Sequence, residues 1–110
     1  MDGDIQLPTD GRGTEVDVQQ SERICVKHEK FIHEVTTALN ELDGGDNWQA
    51  MLALRRAERH LGDTSRENRI TLRAAEYAAE IGQRLLARSR TIEAATAVTG
   101  RSEEFFQTNI

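Results

Sequence analysis

With 110 residues the chain has room for one domain, and 37% hydrophobic but only 5% aromatic residues leave aliphatic side chains and alanine to build its core. Its formal net charge is −5, spread as −7 over residues 1–50, +4 over 51–90 and −2 over 91–110. No apolar run approaches the roughly 18 residues that cross a bilayer, no hydrophobic block marks a secretory leader, and the lone Cys25 excludes an internal disulfide.

Together these features lead us to expect a cytoplasmic, bacterial, all-α protein. Val and Ile do not alternate in runs separated by turns, which leaves an all-β reading without support. All nine bases between residues 51 and 90 are arginines, whose planar forks suit carboxylates and interfaces better than lysine does.

Residues 1–13, with Gly3, Pro8, Gly11, Gly13 and three aspartates, read as a flexible N-terminal arm. A first helix is predicted from about Asp17 or Ser21 to Leu42. Ile24, His28, Phe31, Val35, Ala38 and Leu42 are spaced 4, 3, 4, 3, 4, the seam of a helix packing lengthwise on another. Asp43-Gly44-Gly45 ends it. A second helix starts at Asp46 or Asn47, carries Trp48, Met51, Leu52, Leu54, Ala57 and Leu61 on a broad apolar face, and reaches a C-cap at Gly62.

The third predicted helix opens on Thr64-Ser65-Arg66-Glu67, a capping-box pattern. Its seam reads Ile70, Ala74, Tyr77, Ile81, Leu85, Arg88, Ile92 and Ala95. The pattern allows one helix to Val98, about 50 Å long, or a break near Ser89-Arg90-Thr91. Gly100 ends it, and residues 101–110 are a tail. The expected architecture is an antiparallel bundle of three to four helices over residues 14–100, and the long third helix suits an elongated homodimer.

Ala74, Ala78 and Gly82 recur four apart, with Ala75 and Ala79 on the next line. Residues four apart stack on one helix face. Glycine inside a helix costs about 1 kcal/mol against alanine, so a closely approaching partner helix is the expected compensation. The partner-binding set expected on this basis is Tyr77, Ala78, Ile81, Gly82, Leu85, with Arg84 and Arg88 pairing partner carboxylates. Phe105 and Phe106 in Ser102-Glu103-Glu104-Phe105-Phe106 either join that surface or fold back onto the bundle.

Catalytic and metal chemistry find little footing. Cys25, His28 and Glu29 share a helix face, but a zinc site needs about four ligands, usually from two elements. A Cys25–His28 dyad would need a pocket that one helix surface does not offer. The acids fall mostly on predicted solvent faces, and Gly44-Gly45 follows no strand and precedes no Lys-Ser or Lys-Thr. No catalytic residue, metal or cofactor is therefore expected. Arg55, Arg56, Arg59, Arg66, Arg69 and Arg73 flank a helix–Gly62–helix junction resembling a helix-turn-helix in outline. Glu58 and Asn68 stand where its core wants a small and an apolar residue, and the net charge opposes phosphate affinity. The expectation is a non-enzymatic regulator that sequesters another protein, such as an antiactivator holding a transcriptional activator. The alternatives are a small DNA-binding regulator using Arg55 to Arg73, and a secretion chaperone or phage-encoded inhibitor.

Overall fold

The computed structural model describes residues 28–108, which form helices joined by turns, with no strand among them. They run as α1 (28–43), α2 (Asn47–Glu58), α3 (Arg66–Glu80), α4 (Arg84–Thr99) and α5 (Glu103–Thr108). None of these helices is long and apolar enough to cross a membrane. The arm at 1–13 and Cys25 lie outside the described residues.

The first seam packs as its spacing predicts. Phe31, Val35, Ala38, Leu39 and Leu42 are all buried on α1, because a 4-3-4 spacing keeps them on one stripe. The helix closes in a Schellman motif: the Asp46 N–H donates to Glu41 O (2.8 Å) and the Gly45 N–H to Leu42 O (3.1 Å), with Gly45 at φ +86°. Asp46 then caps α2 by accepting from the Gln49 N–H at 3.0 Å. Met51, Leu54 and Ala57 are buried, but Trp48, assigned to the apolar face, is largely exposed. Arg56 Nε donates to Glu34 Oε1 at 2.9 Å and ties α2 to α1. Helix α2 stops at Glu58, and the chain makes a further turn through His60 and the buried Leu61 before Gly62 at φ +64°.

Three expectations about the third helix need correction. Its N-cap is Ser65, whose Oγ accepts from the Asn68 N–H at 3.2 Å. Thr64 instead accepts from Asn68 Nδ2 at 2.8 Å, so the Thr64–Glu67 box does not form. The helix neither runs to Val98 nor breaks at Ser89–Thr91. It ends at Glu80 in a second Schellman motif, with the Gln83 N–H on Ala78 O (2.8 Å) and the Gly82 N–H on Ala79 O (3.1 Å). Gly82, at φ +80°, is the left-handed residue that this motif requires. Its glycine answers a backbone need, so the close-approach explanation for it falls. Ser89-Arg90-Thr91 sits inside α4, where the buried Thr91 hydroxyl donates to Ala87 O at 2.7 Å and leaves no polar group unpaired.

Gly82→Ala should therefore destabilise the domain by about 1–2 kcal/mol, the cost of a left-handed alanine. The added Cβ meets nothing closer than Asn47 Nδ2 at 3.9 Å, so the cost is conformational and not steric. Chemical denaturation of the two proteins measures it.

Helices α3 and α4 pack through small residues. Ala75, Ala78 and Ala79 on α3, and Ala87, Ala94 and Ala95 on α4, are all buried. Of the alanine lines, Ala75, Ala78 and Ala79 thus serve contacts within the chain, while Ala74 is exposed. Gly100 at φ +75° ends α4, its N–H donating to Thr96 O at 2.9 Å. The segment read as a tail forms α5, and Phe106 enters the core at 1% exposure. Phe105 stands edge-on to Phe106 (ring centroids 5.0 Å apart) beneath Arg101, whose Cζ lies 4.4 Å from its ring centre.

Candidate functional site

Helix α3 is apolar on two opposite faces. Each residue advances about 100° around the axis. Leu72, Ala75 and Ala79 face the core. Ile70, Ala74, Tyr77 and Ile81 gather within about 60° of one another on the far side, and all four are exposed, Tyr77 at 64%. Leu85, at 81%, and Leu86 are also exposed, on α4 just past the Gly82 turn. The heptad seam read from the sequence therefore survives only over residues 70–81, where solvent and not the bundle covers it, and the Gly82 turn separates Leu85 from it. The packed seam of α3 lies half a turn away.

The end of the bundle beside this surface is held together by cations. Arg84 Nη1 reaches Leu42 O at 3.5 Å, and Arg88 Nε donates to Asp43 Oδ1 at 3.4 Å, joining the α3–α4 turn to the end of α1. Asn47 lies against Gly82, which brings the exposed Trp48 to the same end. A shallow groove of about 240 Å³ between α4 and α5 starts at Leu85 and is lined by Arg88, Ser89, Ile92, Glu103 and Gln107.

A second constellation lies between α2 and α3. Arg55 and Arg59 sit four apart on α2, and Arg69 and Arg73 four apart on α3. The two pairs line an open cleft of about 520 Å³ with Glu58 and Glu76. Arg73 Nε donates to Glu58 Oε2 at 2.6 Å, Arg55 Nε lies 3.7 Å from Glu76 Oε1, and Arg69 Nη2 donates to Gly62 O at 2.7 Å. The Arg59 guanidinium has no bonded partner among the described residues.

Glu76 is the unusual member, a carboxyl on the packed side of α3 at 8% exposure. Burial first, and the neighbouring Glu58 second, push its carboxyl up to about 8, against the pull of Arg73 and Arg55. Its Oε2 is buried with no protein donor, an expensive state for a carboxylate. The acid form of Glu76 removes that charge, and the nearby Glu58 carboxylate favours it. For Glu58 burial acts upward, but the hydrogen bond from Glu76 and the Arg73 charge outweigh it and hold that carboxyl below its ordinary range. Near neutral pH the pair is one acid and one carboxylate. Four guanidiniums against one ionised carboxylate leave the cleft at net +3.

The expected partner-binding residues separate on inspection. Tyr77 and Ile81 stand on the exposed stripe of α3 and its cap, and Arg84 and Leu85 are exposed at the start of α4. Arg88 is half-buried and already paired with Asp43. Ala78 and Phe106 belong to the core and Gly82 to the turn, so none of these three offers its side to a partner, and Phe105 is half-buried against Phe106.

Sequence reading missed the Glu58–Glu76 pair: it placed the acids mostly on solvent faces and noted Glu58 only as a misfit in a helix-turn-helix core. The signal was present for Glu76: Leu72, Ala75 and Ala79 define a stripe in which position 76 falls, so a carboxyl there had to be buried or satisfied. Leu86 was also missed. His28 is half-buried on α1, while Cys25 lies outside the described residues. No family model, no curated protein and no solved structure matches this chain.

Proposed function

We propose that this chain is a non-enzymatic regulator that sequesters another protein by receiving one of its helices on the α3–α4 apolar surface. The observation that carries the reading is the exposed set Ile70, Ala74, Tyr77 and Ile81 along α3 and its cap, which repeats at the spacing by which helices pack lengthwise, with Leu85 and Leu86 exposed just beyond the Gly82 turn. Contiguous exposed apolar residues on one face mark contact surfaces more often than isolated ones do. Arg84 stands next to this surface and suits a carboxylate of an incoming helix. An antiactivator that masks the dimerisation or DNA-contacting helix of a transcriptional activator in a bacterial cytoplasm acts in this way. A homodimer with its two-fold axis away from the stripe leaves one docking face per protomer.

The test is Ile81→Glu combined with Leu85→Glu. Both positions are exposed, so helicity should match the parent by circular dichroism. Each lost apolar contact removes about 1.5–3 kcal/mol, and the double variant should bind a partner captured by the parent at least a hundredfold more weakly. Equal recovery of that partner by parent and double variant in quantitative pull-downs would remove this surface from consideration.

A further inference from the structure

We propose that the cleft between α2 and α3 is a binding site for a small multiply charged oxyanion, of the phosphate or pyrophosphate class, held by Arg55, Arg59, Arg69 and Arg73. This inference is independent of the helix-docking surface, which uses a different face of α3.

Two observations carry it. First, the four arginines are brought together as two facing i, i+4 pairs, and their charges are incompletely matched inside the protein. The Arg59 guanidinium has no partner among the described residues, Arg69 uses one nitrogen on Gly62 O, and Arg55 meets Glu76 only at 3.7 Å. Guanidiniums in this state present paired N–H donors to tetrahedral oxyanions. Second, the floor of the cleft is the buried carboxyl of Glu76, whose Oε2 finds no protein donor. As an acid it turns from a repellent of anions into a neutral group that offers its proton to Glu58 or to a ligand oxygen. The cleft volume of about 520 Å³ admits a pyrophosphate with its hydration. No aromatic side chain lines it, so the cleft offers no ring on which a base would stack.

Charge balance makes binding depend on pH. Glu76 is faced by Glu58, Arg55 and Arg59 from α2 and by Arg69 and Arg73 from its own helix. Ionisation of Glu76 as pH rises through about 8 adds a negative charge to the floor, so anion affinity should fall across that range.

The experiment is calorimetric titration of the full chain at low ionic strength with inorganic pyrophosphate, with phosphate, and with a double-stranded DNA oligonucleotide. Expected is saturable one-to-one binding of pyrophosphate, tighter than phosphate, and at least about tenfold weaker for Arg59→Ala. The Arg59 guanidinium makes no bond among the described residues, so that variant should keep the parent's melting temperature. Arg90→Ala, which breaks only the surface pair with Glu93, should bind as the parent does. Glu76→Gln should bind at pH 7 and lose the weakening between pH 7 and 9. The proposal is overturned by no heat of binding at millimolar pyrophosphate. It is equally overturned by affinity unchanged in Arg59→Ala, or by DNA binding that falls steeply with salt while pyrophosphate does not bind, which would make the arginines a nucleic-acid surface.

Discussion

Phe106→Ala should lower the unfolding free energy by about 3–5 kcal/mol, the cost usual for a fully buried phenylalanine reduced to alanine. A domain of this size has about 5–15 kcal/mol in total, so this one residue of α5 would carry a large share. The reason lies in how α5 is held. Six residues are too few for a helix to persist in water on its own account, so α5 exists because Phe106 seats in the core and because Ser102 meets the Phe105 N–H. Phe105→Ala is the internal comparison. That ring is half-buried and trades its contacts with Phe106 and Arg101, so its loss should cost distinctly less, about 1–2 kcal/mol. Urea denaturation of the three proteins measures both, and a Phe106→Ala cost below about 1 kcal/mol would show that α5 contributes little to the fold.

How far the sequence reveals this molecule can be judged residue by residue. The seam on α1, the Gly45 and Gly100 stops and the Asp46 cap were legible because each rests on local chemistry: spacing within one helix, a left-handed backbone, an oxygen one turn from a free N–H. The packed face of α3 was not. Its exposed stripe, Ile70-Ala74-Tyr77-Ile81, is more hydrophobic than the alanine-rich face that the bundle buries, and periodicity cannot say which of two apolar faces turns inward. Close helix packing selected the small face, since alanines let α3 and α4 approach, and left the larger side chains outside. Gly82 misled for a related reason. A glycine four residues beyond an alanine pair fits a packing ridge and fits a Schellman stop equally well, and only the Gln83 and Gly82 hydrogen bonds decide between them. The cleft was half legible. Its arginines were noted as a group flanking Gly62, but the carboxyl pair that sets their net charge forms only when α2 and α3 fold against each other.

Glu76→Gln should raise stability at pH 9 by about 1–3 kcal/mol and flatten its dependence on pH above neutrality. The sign follows from proton binding in the two states. In the unfolded chain Glu76 titrates near 4.5, while in the folded protein burial and Glu58 hold it at about 8. Below pH 4.5 both states carry the proton, and the full benefit of the acid form is present. Between 4.5 and 8 the folded state holds a proton that the unfolded state has released, so stability declines as pH climbs. Above 8 the carboxylate is buried beside Glu58, and the decline is complete. Glu58 acts at the other limit: its lowered carboxyl favours folding above its ordinary range and gives that up as acid protonates it. The parent should therefore be most stable near pH 5. Glutamine keeps the hydrogen-bonding shape of the acid and cannot ionise, so the alkaline decline should vanish while contributions from other groups, common to both proteins, cancel in the comparison. At roughly 4–8 °C per kcal/mol for a small domain, melting curves at pH 5, 7 and 9 should separate the two proteins by about 5–15 °C at pH 9. Parallel curves would mean that Glu76 is ionised in the folded state at neutral pH, with Arg55 and Arg73 compensating its burial, and the cleft would then carry one positive charge fewer.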